Sequence, residues 1–130
     1  MNRLRNALLV VSLVPTVTGC ELARGCSAQF VYGISVEMRP GFAEPLPPDA
    51  TFGFVRDGSY VDDLRVFVPT QLGDSLGPVP LVAAGERSGT FEVIVRRPGF
   101  VTWDTSGVRV RDDGCHPVTA RLAVTLQPAP

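Results

Sequence analysis

The chain predicts an all-β fold, a single antiparallel β-sandwich of about seven strands. Three observations carry that expectation. Apolar and polar residues alternate with a period of two in several short runs, as half-buried strands require. The 130 residues include 13 Gly and 12 Pro, a composition suited to short strands joined by turns. No segment carries a 3.6-residue apolar period of helical length. Seven or so short strands with turn signals between them read as two packed sheets.

Taken in order, residues 29–39 form the first strand, with Ile34, Val36 and Met38 on one face. Residues 40–48 are proline-rich and read as a loop. A second strand over 51–56 places Phe52 and Phe54 together, and Asp57-Gly58 is a hairpin signal. Tyr60 and Val61 open the return strand, and 64–68 alternates through Leu64, Val66 and Val68. Residues 69–80 form a second loop, and 81–84 a short strand. The stretch 85–110 organises the rest: Phe91, Val93 and Val95 alternate with Glu92, Ile94 and Arg96. Arg97-Pro98-Gly99-Phe100 follows as a type II turn, with Pro98 presetting φ and Gly99 supplying φ > 0. A further apolar run covers 100–103, and Val108 and Val110 open another strand. After a turn at Asp112-Asp113-Gly114, residues 118–126 form the clearest strand. Val118, Ala120, Leu122, Val124 and Leu126 share one face, opposite Thr119, Arg121 and Thr125. The sandwich is expected over 29–127, with fraying at the C-terminal end and 128–130 as a loose tail.

The formal net charge is −1, and all 12 basic residues are arginine. Near balance of charge argues against an electrostatic nucleic-acid binder. The N-terminus is informative in a different way. Arg3 and Arg5 precede an apolar run over 7–14, the right length for a signal-peptide core and too short for a spanning helix. Val17-Thr18-Gly19-Cys20 then resembles a bacterial lipobox. The resemblance implies cleavage after Gly19, a signal peptide over 1–19, and a lipidated Cys20 that begins a tether over 20–28. Several acyl chains on one cysteine anchor a protein stably where one alone is marginal. The implied address is the cell envelope, membrane-anchored and facing the periplasm or exterior. Glu21 stands where an aspartate would favour inner-membrane retention, which leans toward an outer membrane if one exists.

With Cys20 acylated, Cys26 and Cys115 remain as an even pair in an oxidising compartment, and a Cys26–Cys115 disulfide is expected. His116 is the only histidine, and Cys115-His116 alone makes a poor zinc site. No metal or cofactor is expected.

Gly89, Phe91, Val93, Val95, Pro98, Gly99 and Phe100 resemble the G-x-[YF]-x-V-x-V-x-x-x-G-[YF] signature of carboxypeptidase regulatory-like domains. The resemblance implies a prealbumin-like (transthyretin-like) sandwich of seven strands, often an accessory or interaction module with no common activity.

Four clusters are candidates for chemistry. Gly73-Asp74-Ser75-Leu76 resembles the nucleophile block of GDSL ester hydrolases, and Asp113 and His116 fit that family's acid–base block. The all-β pattern departs from that family, and the only asparagines, Asn2 and Asn6, lie in the signal peptide, which leaves backbone amides to serve an oxyanion hole. Asp62-Asp63 and Asp112-Asp113 lack a calcium-loop spacing and read as turn residues. Trp103 and Tyr60 are the candidate ligand-binding aromatics, with Tyr32 a further one. Arg96, Arg97, Arg109 and Arg111 read as the solvated side of half-buried strands. The function expected from all of this is a lipid-anchored, non-catalytic interaction or structural module. It would contact the membrane through its anchor, an envelope protein or glycan, and no nucleic acid. A carbohydrate- or peptidoglycan-binding module is the alternative, and a GDSL-type hydrolase a remote one. The loops over 40–48 and 69–80 are the expected variable surface.

Overall fold

The computed structural model describes residues 25–39, 50–67 and 79–130. The signal peptide over 1–19, Cys20, the loop over 40–48, most of the loop over 69–80, and Ser75 lie outside the described residues. Within them the chain is all-β. Its strands are β1 (Tyr32–Met38), β2 (Phe52–Asp57), β3 (Tyr60–Asp63), β4 (Arg65–Val66), β5 (Leu81–Gly85), β6 (Gly89–Arg96), β7 (Trp103–Asp112), β8 (Pro117–Val118) and β9 (Ala120–Val124). They form two layers, as predicted: one sheet in the order β4-β5-β1-β9, the other in the order β3-β2-β6-β7-β8. The count of nine exceeds the expected seven because two long runs each break in two. All pairings are antiparallel except β1 with β9, which is parallel.

The breaks fall where the chain changes sheets. Leu64 separates β3 in one sheet from β4 in the other, and Thr119 separates β8 from β9 in the same way. Each crossing covers one side of the sandwich with continuous chain. Leu64 is buried, and its N–H donates to the Gly53 carbonyl at 2.9 Å. The Thr119 hydroxyl donates to the Tyr32 carbonyl at 2.8 Å. The crossing at Thr119 corrects the reading of 118–126 as one strand with one face. Ala120, Leu122, Val124 and Leu126 do turn inward, but Val118 belongs to the other sheet and is 44% exposed.

The core lies between the layers. Phe91, Val93 and Val95 of β6, with Val55 of the neighbouring β2, are fully enclosed, facing Ile34 and Val36 of β1, Leu81 and Ala83 of β5 and Val124 of β9. Full burial of one such side chain contributes about 1.5–3 kcal/mol. Phe52 and Phe54 do share a face, and it is the outer one, because Val55 takes the inward position opposite Val93.

The turns follow the local chemistry. Gly99 has φ 79°, and the Phe100 N–H donates to the Arg97 carbonyl at 3.1 Å, closing the type II turn. In the β2–β3 hairpin, Asp57 pairs with Tyr60, so the two loop residues are Gly58 and Ser59, one position later than the Asp57-Gly58 signal suggested. Gly58, with φ 59°, occupies the first central position, as a type II′ turn requires. A β-bulge at Ser106-Gly107 shifts the β6–β7 register between Phe91 and Val93. The C-terminal tail is hydrogen-bonded to the body of the fold. Val101 N–H donates to the Gln127 carbonyl at 2.8 Å and Ala129 N–H to the Gly99 carbonyl at 2.9 Å, so the tail pairs with the turn after β6.

Candidate functional site

Among the described residues a polar cluster gathers where the N-terminal segment, the β5–β6 turn and the β7–β8 turn meet. Cys26 and Cys115 form a disulfide with Cα atoms 5.2 Å apart, across 89 positions of sequence. Asp112 and Asp113 shape the turn that presents Cys115. Asp112 Oδ1 accepts from the Gly114 N–H at 2.6 Å, and Asp113 Oδ1 accepts from the N–H groups of Cys115 and His116 at 2.9 Å each. Those two amides, His116 first, hold the Asp113 carboxyl below its ordinary range. These are Asx-type turn contacts, the reading the sequence favoured over calcium. Among the described residues no group of three or more His, Cys, Asp or Glu is placed to hold a metal ion.

His116 is the centre of the cluster. Its Nδ1 lies 2.9 Å from Glu86 Oε2, and its Nε2 lies 3.0 Å from the Ser27 carbonyl and 3.2 Å from the Ser27 hydroxyl. Glu86 in turn accepts from the Val31 N–H through Oε1 and donates its own N–H to the Val31 carbonyl at 2.8 Å. Glu86 sits at φ 49°, a left-handed conformation uncommon for a residue with a Cβ, and these bonds hold it there.

A serine, a histidine and a glutamate in contact invite comparison with a nucleophile–base–acid relay. The acceptors decide the matter differently. A carbonyl facing Nε2 requires a donor there, and a carboxylate facing Nδ1 requires a second donor. Both nitrogens donate only in the imidazolium, which has no lone pair left to take the serine proton. The hydrogen bond to Glu86 raises the His116 pKa, and the same bond lowers that of Glu86, with the Val31 amide adding to it. The arrangement acts as a clasp beside the disulfide, charged while the imidazole is protonated. Neither Glu86 nor Ser27 was foreseen as its partner; the only signal was a lone histidine beside a cysteine.

The aromatic candidates are separated. Trp103 starts β7 in register with Val95, half-buried against the core. Tyr60 starts β3, packs edge-on to Phe91 at 6.2 Å, and is covered by the Arg87 guanidinium 4.1 Å above its ring. The two strands are three positions apart in the sheet, roughly 14 Å, and the two residues lie toward opposite ends. The exposed aromatic surface is elsewhere. Phe30, 59% exposed, meets Tyr32 at 5.1 Å, and Tyr32 meets Phe67 at 5.8 Å. The rings meet edge to face, at 77° and 69°, so they form a ridge rather than a flat platform. Phe30 and Tyr32 are two positions apart in sequence; only the β4–β5–β1 order brings Phe67 to them.

Asp62 has a structural role that the Asp62-Asp63 pair did not advertise. One carboxylate oxygen pairs with Arg65, and the other accepts from the Ala84 N–H at 2.9 Å. It thereby ties the β3–β4 crossing to β5. Arg96 and Arg97 lie over Phe54 and Phe100, each 5.6 Å from the ring centre. Compared with models of known protein families, with curated proteins and with solved structures, the chain matches none.

Proposed function

We propose that this chain is a lipid-anchored β-sandwich of the cell envelope, acting as a non-catalytic interaction or structural module. The observation that carries the reading is the Cys26–Cys115 disulfide. Such bonds persist in oxidising compartments, the destination that the signal-peptide pattern and the Cys20 lipobox imply. The two-sheet sandwich also agrees with the resemblance of Gly89 to Phe100 to carboxypeptidase regulatory-like domains. Five residues separate Cys20 from Cys26, a reach of at most roughly 20 Å, so the anchored sandwich rides close to its membrane. The ridge of exposed Phe30 and Phe67 around half-buried Tyr32 gives the module an apolar contact surface near that anchor.

The test is metabolic labelling with a palmitate analogue, followed by in-cell crosslinking and mass spectrometry of the detergent-solubilised membrane fraction. Label on the wild type, lost in Cys20→Ser, together with one reproducibly enriched envelope protein, is the expected outcome. Absence of label and absence from the membrane fraction would overturn the anchored reading. Crosslinks to peptidoglycan alone would replace the protein partner with a glycan.

A further inference from the structure

The outer face of the β6–β7 pair carries an arrangement that neither the anchor nor the disulfide explains. Thr90 pairs with Arg109 and Gly89 with Val110, and Ser88, immediately before β6, lines the same concavity as Arg111. Val110 is buried, so its neighbours Arg109 and Arg111 point the other way, outward. Both are exposed. Thr90 therefore lies beside Arg109 on the outer face, with Ser88 and Arg111 adjoining them. Together with Gly89, Val110 and Asp112 they line an open concavity of about 460 Å³.

The charges in this concavity are unbalanced. The ion pairs among the described residues use Arg56, Arg65 and His116, and neither Arg109 nor Arg111 has a carboxylate partner there. Asp112 is the one acidic residue in the lining, and its Oδ1 is engaged by the Gly114 N–H. One negative group thus stands against two positive ones. Adjacent guanidiniums on one strand repel each other unless an anion lies between them.

We propose that this concavity binds a phosphate group. The two guanidinium forks supply planar, charged donors, and the Ser88 and Thr90 hydroxyls supply two more from the neighbouring strand. A tetrahedral anion with acceptor oxygens on several sides uses donors converging from two strands, whereas a planar carboxylate is satisfied by one fork. The span is also suitable. Arg109 and Arg111 are about 7 Å apart along the strand, and a phosphate with a hydrogen bond on either side covers roughly 8 Å. Phosphate binding here does not depend on the anchoring of Cys20. A free phosphate and a lipid headgroup share this chemistry, and the experiment separates them.

The full chain, held in a non-ionic detergent, is titrated with inorganic phosphate and, separately, with dihexanoyl phosphatidylglycerol, while backbone amide shifts are followed. Saturable shifts at residues 88–90 and 109–112 are expected at millimolar ligand. Arg109→Gln is expected to weaken binding about tenfold or more, and Arg109→Gln/Arg111→Gln to abolish it. Arg109→Lys, which keeps the charge and loses the fork, is expected to fall between. Unchanged thermal unfolding of each variant separates lost binding from lost fold. Response to inorganic phosphate identifies a free phosphate as sufficient; response to the lipid alone assigns the site to headgroups. No saturable shift with either probe, or the same affinity in the double variant, would overturn the proposal.

Discussion

His116 concentrates the residue-scale physics. Its ring is 18% exposed, and Glu86 meets it from the β5–β6 turn while Ser27 meets it from the N-terminal segment. Asp113, whose carboxylate accepts from the His116 backbone N–H, adds a favourable charge. The His116 pKa is raised on folding, so its contribution to stability is complete below about 6.5 and is lost as pH rises through the folded value. Glu86 is shifted downward, so its contribution is present above about 4.5 and is lost as pH falls through the folded value. The clasp is therefore strongest between those two values. The melting temperature of wild type minus that of His116→Gln, measured across pH, is expected to be largest near pH 5.5 and to shrink toward pH 8. A flat difference across that range would show that His116 acts through packing alone.

At the scale of elements, the crossings at Leu64 and Thr119 matter more than any single strand. A strand of period two would bury one face throughout, but a strand that changes sheets must also change which partner satisfies its backbone. Asp62 supplies the acceptor that the β3–β4 crossing needs, since its carboxylate takes the Ala84 N–H and holds Arg65. Asp62→Ala is expected to destabilise the fold by about 1–3 kcal/mol in urea unfolding, the cost of leaving a buried amide without its acceptor. Asp63→Ala, on the exposed side of the same strand, serves as the control and is expected to change stability by less than about 0.5 kcal/mol.

For the whole molecule, the disulfide joins the first described segment to the turn before the last strands, across 89 positions. Closing a loop of that length in the unfolded chain is worth about 4.6 kcal/mol in the chain-entropy view, and measured values cluster at about 2–4 kcal/mol. Cys26→Ser/Cys115→Ser is expected to lower unfolding free energy by that amount without changing the strand content seen by circular dichroism. The parallel β1–β9 pair explains why the staple is well placed. It brings the start and end of the sandwich together, and strands so far apart in sequence are the slowest to pair.

Much of the fold was legible in the residues alone because strand patterning is local. Phe91, Val93 and Val95 announce a buried face by alternation, Pro98-Gly99 announces its turn, and both hold in the structure. The Cys26–Cys115 pairing followed from the lipobox resemblance and the cysteine count, and it is present. The candidate sites were less legible, because their members are brought together by strand order rather than by spacing. Glu86 reaches His116 across 30 positions, Phe67 reaches Tyr32 through β5, and Arg109 faces Thr90 only through the register of β6 and β7. Local alternation decides which face of a strand is apolar. Only tertiary structure decides which strand lies beside it, and therefore which side chains, two sheets and one disulfide later, share a surface.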